Sequence, residues 1–265
     1  MKASWPKAGR RRDLPGARRR ANARRIAIDF DPTRPEMTTE YRQPRYSRPP
    51  GATEILLLRH GESRAASPER PFPLVDGHGD PELHPNGEDQ ARRAAERLCR
   101  LPISAVYVTN LRRTSLTAAP LCGRLGLTPI VEPDLREVHL GDWEGGLYRI
   151  KARLGDPVYL RMLDEQRWDV IPGAESHAVL EARIGGALRR IAASHPDQLV
   201  LAVVHGGVIG HILAQATGAQ PFAFHGADNG SISHIVMTGN RIVVRCFNDT
   251  SHLGEPASAT ASALT

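Results

Sequence analysis

Short aliphatic runs alternate along the chain with longer segments whose apolar residues recur every three or four positions. The runs predict buried strands, and the longer segments predict helices that cover them. The predicted strands are 55–58, 105–108, 129–131 and 199–204, and the predicted helices are 88–101, 111–125, 175–193 and 206–217. Residues 231–237 and 241–247 predict a hairpin that turns at Gly239-Asn240. The alternation predicts an α/β fold, a three-layer α/β/α arrangement with a mostly parallel central sheet.

Two long segments fall outside this alternation. Residues 64–84 are rich in Pro, Gly and Asp and predict a loop, whereas residues 142–175 carry scattered aromatic residues and predict a small helical insert. Loops of this length inside a domain are usually functional or disordered. We expect both segments to form the rim of a pocket and to set its specificity.

The basic charge of the chain belongs to its N-terminal segment. The 265 residues carry a formal net charge of +6, but residues 1–50 hold 14 Lys and Arg against 5 Asp and Glu. The remainder, with 21 basic and 24 acidic residues, is mildly acidic. We expect residues 1–50 to be a disordered leader, residues 51–253 a single domain, and residues 254–265 a disordered tail.

Two interpretations of the basic leader stay open. Its arginine clusters could tether nucleic acid or another acidic surface. Alternatively, the reading frame is over-extended and translation starts at Met37. We favour the second interpretation, so nucleic acid is not an expected partner.

The composition predicts a cytoplasmic protein without a membrane partner. No apolar run approaches the ~20 residues of a membrane span, and no signal-peptide pattern is present. The three cysteines, Cys99, Cys122 and Cys246, predict buried thiols in a reducing compartment rather than a disulfide framework.

The first candidate for chemistry follows the first predicted strand. Arg59-His60-Gly61-Glu62 comes directly after the run 55–58, at a position where open α/β sheets place their functional groups. Gly61 allows the backbone to turn sharply behind the histidine. The alternative is a strand that simply ends in polar residues.

The last parallel strand ends in the same way. His205 follows the run 199–204 and precedes Gly206-Gly207 and a helix, whose N-terminal N–H groups favour an anion. Two histidines at two strand ends could converge on one phosphate. For His205 alone, the alternative is a histidine that only completes a turn.

Two further segments carry charged residues. Arg112 and Arg113 begin the helix after the second strand, where the planar fork of an arginine can bind phosphate. An arginine solvated at the helix start is the alternative. The segment 135–145 contains Glu137 and two further acids beside glycines and a tryptophan, and a carboxyl there could protonate a leaving group.

These four segments, in this order and at these spacings, resemble the histidine phosphatase superfamily in its phosphoglycerate-mutase-like branch. The resemblance covers residues 53–250. It implies that His60 is the nucleophile that forms a phosphohistidine, and that Glu137 is first the general acid and then the base that activates water. It implies that the phosphoryl oxygens are bound by Arg59, Arg113 and His205, with assistance from the Gly61 N–H.

The resemblance implies chemistry without a metal or another cofactor. Two arginines and a protonated His205 would supply the positive charge that phosphoryl transfer needs, whereas His60 must be neutral to attack. The eleven histidines form no His-x-His or His-x-x-x-His pair, and the cysteines form no Cys-x-x-Cys pair. The sequence does not determine which ring nitrogen of His60 attacks.

The sequence departs from the family pattern around the phosphate. The phosphate-binding arginine could be Arg112 instead of Arg113, although the four-residue spacing from Arg113 to Thr117 favours Arg113. The Asn that often follows the first motif is absent, which leaves Arg64 in that neighbourhood as a possible ligand. Asn229 is a second possible pocket residue.

The same departures favour a phosphatase over a mutase. Mutases of the family usually follow the catalytic Glu with Arg-His-Tyr-Gly and the last His with Gly-Asn, whereas Glu137 is followed here by Val-His-Leu-Gly and His205 by Gly-Gly. We expect a metal-independent phosphomonoesterase that acts on a small phosphorylated metabolite as a monomer or homodimer.

Two alternatives remain at this stage. One is a cofactor-dependent mutase-type phosphotransferase. The other is a non-catalytic protein that binds a phosphorylated ligand. The presence of both His60 and Glu137 argues against the binder, because binding alone needs neither a nucleophile nor a proton donor.

Overall fold

The computed structural model describes residues 42–254. The chain divides into two units, residues 1–45 and residues 46–265. Of the first unit only residues 42–45 are described, and they form no helix or strand. Most of the predicted leader, including Met37, and almost all of the predicted tail lie outside the described residues. Their disorder and the bounds of the 51–253 domain stay predictions.

The second unit alternates strands and helices. Its strands are β1 (Thr53–Arg59), β2 (Leu74–Val75), β3 (His78–Gly79), β4 (Ile103–Val108), β5 (Ile130–Val131), β6 (Leu199–Val204), β7 (Ile232–Thr238) and β8 (Arg241–Asp249). Its α-helices are α1 (Pro85–Leu98), α2 (Arg112–Leu125), α3 (Leu147–Leu154), α4 (Pro157–Glu165), α5 (His177–Ser194) and α6 (Gly206–Thr217).

Six of the strands form one sheet in the order β5-β4-β6-β1-β7-β8. The four strands β5, β4, β6 and β1 run parallel, and the hairpin β7–β8 is added antiparallel to β1. This confirms the predicted mostly parallel sheet. The strands β1 and β6, which carry the two histidine motifs, are direct neighbours.

Both faces of the sheet are covered, because alternate side chains of a strand point to opposite faces. Ile55 and Leu57 of β1 belong to an apolar cluster with α5 and α6. Leu56 and Leu58 belong to a second cluster with α1 and α2. All four side chains are buried, and the two clusters confirm the predicted three-layer α/β/α fold.

The largest shift of a helix boundary concerns α1, which was predicted at 88–101 and begins at Pro85. A proline suits the first position of a helix because its missing N–H has no partner there. The side chain of His84 caps the helix by accepting the Asn86 N–H at 3.2 Å. The first turn of this helix is polar and begins with a proline, so the apolar pattern did not indicate where the helix begins.

The two irregular segments are more ordered than the sequence suggested. The 64–84 loop contains the small hairpin β2–β3, which turns at Asp76 and Gly77 with positive φ angles. The 142–175 segment contains α3 and α4, as predicted, and has an apolar cluster of its own around Met162 and Ile171.

The prediction of three buried thiols is wrong for two of them. Cys122 is buried, whereas Cys99 and Cys246 are only partly buried, and none forms a disulfide. Cys99 lies at the C-terminal cap of α1, and Cys246 lies on the edge strand β8. A residue at the end of a helix or on an edge strand has packing neighbours on one side only. No helix within residues 42–254 is long and apolar enough to span a membrane.

The turn after β1 lies directly against the first turn of α1. A Cβ added to Gly61 would overlap the backbone of Gly87, and a Cβ added to Gly87 would overlap the backbone of Glu62. Backbone atoms cannot move aside as a flexible side chain can. The two glycines therefore fix the position of the turn that follows His60.

We predict that Gly87→Ala lowers the free energy of unfolding by about 1–3 kcal/mol, the usual cost of overpacking. Gly123→Ala in α2 is the matched control, because an added Cβ there meets nothing within 4 Å. A helical Gly→Ala change at such a position should stabilise by up to ~1 kcal/mol. Urea unfolding of both variants measures the difference, and equal stability of Gly87→Ala and wild type would contradict the close contact.

Candidate active site

The carboxyl ends of two neighbouring parallel strands bring His60 and His205 together. Arg59 of β1 pairs in register with Val204 of β6, so the next residue of each strand lies at the same edge of the sheet. The two imidazole rings are 5.1 Å apart between centroids and meet edge to face. The predicted convergence of these histidines is thus a consequence of strand register.

The hydrogen bonds of His60 fix its tautomer. Nδ1 lies 2.8 Å from the carbonyl oxygen of Gly61, which can only accept, so Nδ1 carries the proton. In the neutral ring Nε2 then holds a lone pair. Arg113 Nε donates to this Nε2 at 3.2 Å, as expected for an unprotonated nitrogen. The structure therefore leaves the lone pair of the neutral ring on Nε2, which the sequence could not decide.

The surroundings of His60 keep the ring neutral. The side chain is only 4% exposed, and this burial, followed by the nearby charges of Arg113 and Arg59, holds its pKa well below the usual value for histidine. A protonated His60 would have no lone pair to offer. The site thus favours the reactive form at neutral pH.

The side chains of the two adjacent arginines, Arg112 and Arg113, point to different partners. Arg113 is buried, donates to His60 and donates through Nη1 to the Gly79 carbonyl at 2.8 Å. Arg112 is exposed and turns to Asp80, to which its Nε donates at 3.1 Å. Burial lowers the pKa of Arg113 to about 10, so it remains a cation at neutral pH.

Arg59 supplies the second cation. Its guanidinium donates to the carbonyl oxygen of Ala227, and its Nε has no hydrogen-bond partner among the described residues. Burial lowers its pKa, while the charges of Glu137 and Asp228 raise it. An added Cβ at Gly206 would lie 3.3 Å from the Arg59 guanidinium, so the glycine after His205 leaves room for this side chain.

His205 differs from the predicted cation. It is fully buried at 0% exposure, and desolvation, followed by the charges of Arg113, His60 and Arg59, holds its pKa well below the usual range. Burial and the two nearby arginines therefore favour a neutral His205, in contrast to the cation that the resemblance implied.

The two ring nitrogens of His205 differ in their hydrogen bonds. Nε2 lies 3.1 Å from the hydroxyl oxygen of Thr109, whereas Nδ1 is buried without a hydrogen-bond partner among the described residues. A buried polar atom without a partner is uncommon and calls for an explanation such as a ligand. A phosphoryl oxygen would satisfy it.

Gly61 has a different role from the one expected. Its backbone N–H, predicted to assist phosphate binding, donates to the Thr117 hydroxyl at 3.0 Å. That hydroxyl in turn donates to the Arg113 carbonyl at 2.7 Å. The Gly61 N–H therefore already has a hydrogen-bond partner, which connects the first motif to helix α2. The Gly61 carbonyl oxygen accepts a hydrogen bond from Nδ1 of His60.

Glu137 lies at the N-terminus of α6. One of its carboxylate oxygens accepts the Val138 N–H at 3.0 Å, and the other accepts the Gly207 N–H at 3.3 Å. A Cβ at Gly207 would approach the carboxylate to 2.7 Å. The Gly-Gly pair after His205 thus admits Glu137 next to the helix start, and this explains why no larger residue follows Gly206.

The two possible pocket residues have different outcomes. Asn229 lines the cavity and donates from its side chain to the His60 carbonyl at 2.9 Å, so it holds the end of β1 in place. Arg64 does not line the cavity. Its guanidinium stacks over the Phe72 ring at 5.0 Å and donates to the Arg70 carbonyl at 3.4 Å, because the loop turns this side chain away from the phosphate.

Arg149 is the cavity residue that the sequence interpretation missed. It lies on α3, lines the cavity, and its charge contributes to the lowered pKa of His60. The insert was expected at the pocket rim, so a basic residue within it was the signal available. Nothing in the helical pattern distinguishes Arg149 from the neighbouring basic residues 151 and 153.

Most of these side chains line one cavity of about 750 Å³, whereas His205 lies behind its wall, next to His60. Its polar end is formed by Arg59, His60, Arg113, Glu137, Arg149 and Asn229. Aromatic residues of the loop and the insert line the remainder, namely Phe72, Trp143, Tyr148 and Trp168. The predicted rim is therefore present, and the cavity is far larger than a phosphoryl group. Among residues 42–254, no group of three or more His, Cys, Asp or Glu side chains is placed to hold a metal ion.

Comparisons with known proteins give the same family as the geometry. The family model described as "Histidine phosphatase superfamily (branch 1)" matches residues 55–250. The chain is 35% identical over 208 residues to phosphoglycerate mutase-like protein 4 of Arabidopsis thaliana, covering 76% of this chain and 87% of that protein. It is 30% identical over 204 residues to phosphoserine phosphatase 1 of Hydrogenobacter thermophilus, covering 76% and 95%.

A solved structure extends the likeness to three dimensions. A mycobacterial glucosyl-3-phosphoglycerate phosphatase aligns with a TM-score of 0.61 at 28% identity, covering 75% of this chain and 100% of that one. The family model spans both histidine motifs, the arginine helix and Glu137. The chain therefore belongs to the histidine phosphatase superfamily, branch 1, and is a phosphatase.

Proposed function

We propose that the protein is a metal-independent phosphomonoesterase that transfers the phosphoryl group of a small phosphorylated metabolite to Nε2 of His60. The observation that carries this proposal is the 2.8 Å contact of His60 Nδ1 with the Gly61 carbonyl. It leaves the lone pair of the neutral ring on Nε2 of a residue that lines the cavity together with Arg59, Arg113 and Glu137.

In the first step the Nε2 lone pair attacks phosphorus, and the bond from phosphorus to the ester oxygen breaks. Glu137 gives its proton to the leaving alkoxide, so that an alcohol departs. Arg59 and Arg113 neutralise the charge on the phosphoryl oxygens. The Arg113 Nε–H, which donates to Nε2 at 3.2 Å, turns to a phosphoryl oxygen instead.

In the second step water attacks the phosphohistidine. Glu137, now a carboxylate, removes a proton from the water while the phosphorus–nitrogen bond breaks and Nε2 recovers its lone pair. Inorganic phosphate is released, and Glu137 is protonated for the next cycle. One carboxyl group thus serves both half-reactions.

His205 binds the phosphoryl group as a neutral donor in this proposal. When the Thr109 hydroxyl donates to Nε2, the single proton of the ring lies on Nδ1. Nδ1 is buried and has no hydrogen-bond partner within residues 42–254, and an N–H there matches a phosphoryl oxygen. A neutral donor at this position adds no further charge beside Arg59 and Arg113.

A mutase-type phosphotransferase is the second candidate. The likeness to a phosphoglycerate mutase-like protein and the additional cation Arg149 favour it. The phosphatase is preferred because Glu137 is followed by Val138 and His139 and because Gly207 replaces the mutase asparagine. A cytoplasmic location, a monomeric or homodimeric state and the absence of nucleic-acid and membrane partners remain expectations.

The full-length chain should hydrolyse p-nitrophenyl phosphate in EDTA, and His60→Ala should lower the rate by about 10³-fold or more, since loss of a covalent nucleophile costs up to ~10⁶-fold. His177→Ala on the exposed start of α5 is the control and should retain wild-type activity. Hydrolysis that survives in His60→Ala would refute the proposal. Silence in both proteins, with turnover of 3-phosphoglycerate primed by a bisphosphate, would establish the mutase.

Glu137→Gln should slow phosphoryl transfer from alkyl phosphates by about 10²- to 10⁴-fold, the usual contribution of a general acid. Transfer from p-nitrophenyl phosphate should fall much less, because its leaving group needs little protonation. The pre-steady-state burst of released alcohol isolates this step from the attack of water. Equal losses on both kinds of ester would exclude Glu137 as the acid.

A further inference from the structure

Two arginines that line the cavity, Arg149 and Arg153, have no part in the proposed phosphoryl chemistry. Arg153 is exposed, whereas Arg149 is partly buried. Nη1 of Arg149 donates to the Arg64 carbonyl at 3.1 Å and its Nη2 to the Ser63 hydroxyl at 2.8 Å. Its guanidinium carbon lies 5.3 Å from the centre of the Phe72 ring. These contacts hold a long side chain in one place on the cavity wall, although they occupy only two of its five N–H donors.

The charge of Arg149 is not neutralised by a direct partner. Within residues 42–254, its hydrogen bonds go to a carbonyl and a hydroxyl oxygen, neither of them charged. Burial and the charge of Arg59 lower its pKa, and the more distant Glu62 and Glu137 carboxylates oppose this. A guanidinium stays protonated under such conditions, so the cavity contains a cation without an ion pair.

The phosphoryl group does not account for this cation. Arg59 and Arg113 already match the two negative charges of a phosphomonoester. A charge removed from water without a partner is costly, and a ligand that carried a further negative charge would remove that cost. The guanidinium of Arg149 is bound at Ser63 and at the Arg64 carbonyl, whereas the contact with His60 is made by Arg113, so such a charge belongs on the leaving group.

We propose that Arg149 binds a second anionic group on the leaving group of the substrate, a carboxylate or a second phosphate. The planar fork of arginine fits both groups. The cavity of about 750 Å³ has room for a leaving group that reaches from His60 to α3. This inference rests on the proposed function and restricts its substrates to phosphomonoesters with a second negative charge.

Matched substrate pairs test the inference. One pair is 3-phosphoglycerate and glycerol 3-phosphate, which differ by a carboxylate. The other is fructose 1,6-bisphosphate and fructose 6-phosphate, which differ by a phosphate. We expect the wild type to prefer the member with the additional charge in at least one pair, and the pair identifies the group.

Arg149→Gln should reduce that preference, measured as a ratio of kcat/KM values, by about 10- to 100-fold, the usual worth of a hydrogen bond to a charged group. The loss should appear mainly in KM. Arg149→Lys should retain part of the preference. Arg161→Gln, which removes an exposed arginine of the insert helix α4 that does not line the cavity, is the control and should retain the wild-type ratio. A ratio is insensitive to the fraction of protein that is folded.

Three results would overturn the inference. The wild type could show no preference in either pair, Arg149→Gln could lose the same factor on every substrate, or Arg161→Gln could have the same effect as Arg149→Gln. In each case hydrolysis of p-nitrophenyl phosphate that depends on His60 would leave the proposed function intact. If that hydrolysis is absent, calorimetric binding of the same pairs to His60→Ala, with and without Arg149→Gln, decides on Arg149 independently.

Discussion

The hydrogen bond from His60 Nδ1 to the carbonyl oxygen of Gly61, at 2.8 Å, is the contact on which the chemistry of this site depends. It determines which nitrogen has a lone pair. It exists only because the chain turns sharply after β1, and the close packing of Gly61 against Gly87 sets that turn. The backbone of the first helix therefore positions the nucleophile, although it contributes no side chain to the reaction.

The charges of the site solve a conflict between binding and reactivity. Phosphate binding requires cations in the site. A histidine that acts as a nucleophile must stay unprotonated beside those cations. Burial and two arginines lower the pKa of both His60 and His205, so the histidines stay neutral and the arginines carry the charge. The same arrangement leaves the buried Nδ1 of His205 without a hydrogen-bond partner in the part of the chain that the structure describes.

The sequence predicted what depends on strand order and periodicity, and it failed where the outcome depends on three-dimensional neighbours. The layers, the parallel sheet and the meeting of His60 with His205 follow from short-range patterns. Three features depend on contacts that these patterns do not show. They are the neutrality of His205, the hydrogen bond from the Gly61 N–H to Thr117 and the packing of Arg64 on Phe72. The sequence did not predict Arg149 as a cavity residue, because a basic residue on a predicted helix is ordinarily solvated.

The central claim is that Nε2 of His60 carries the phosphoryl group during turnover. It is tested most directly by mixing the wild-type protein with a phosphomonoester, quenching in alkali, which preserves phosphohistidine, and locating the phosphoryl group by tandem mass spectrometry and ³¹P NMR. We predict a single phosphorylated site, Nε2 of His60. A phosphoryl group on Nδ1, on another residue or on no residue during active turnover would contradict the account.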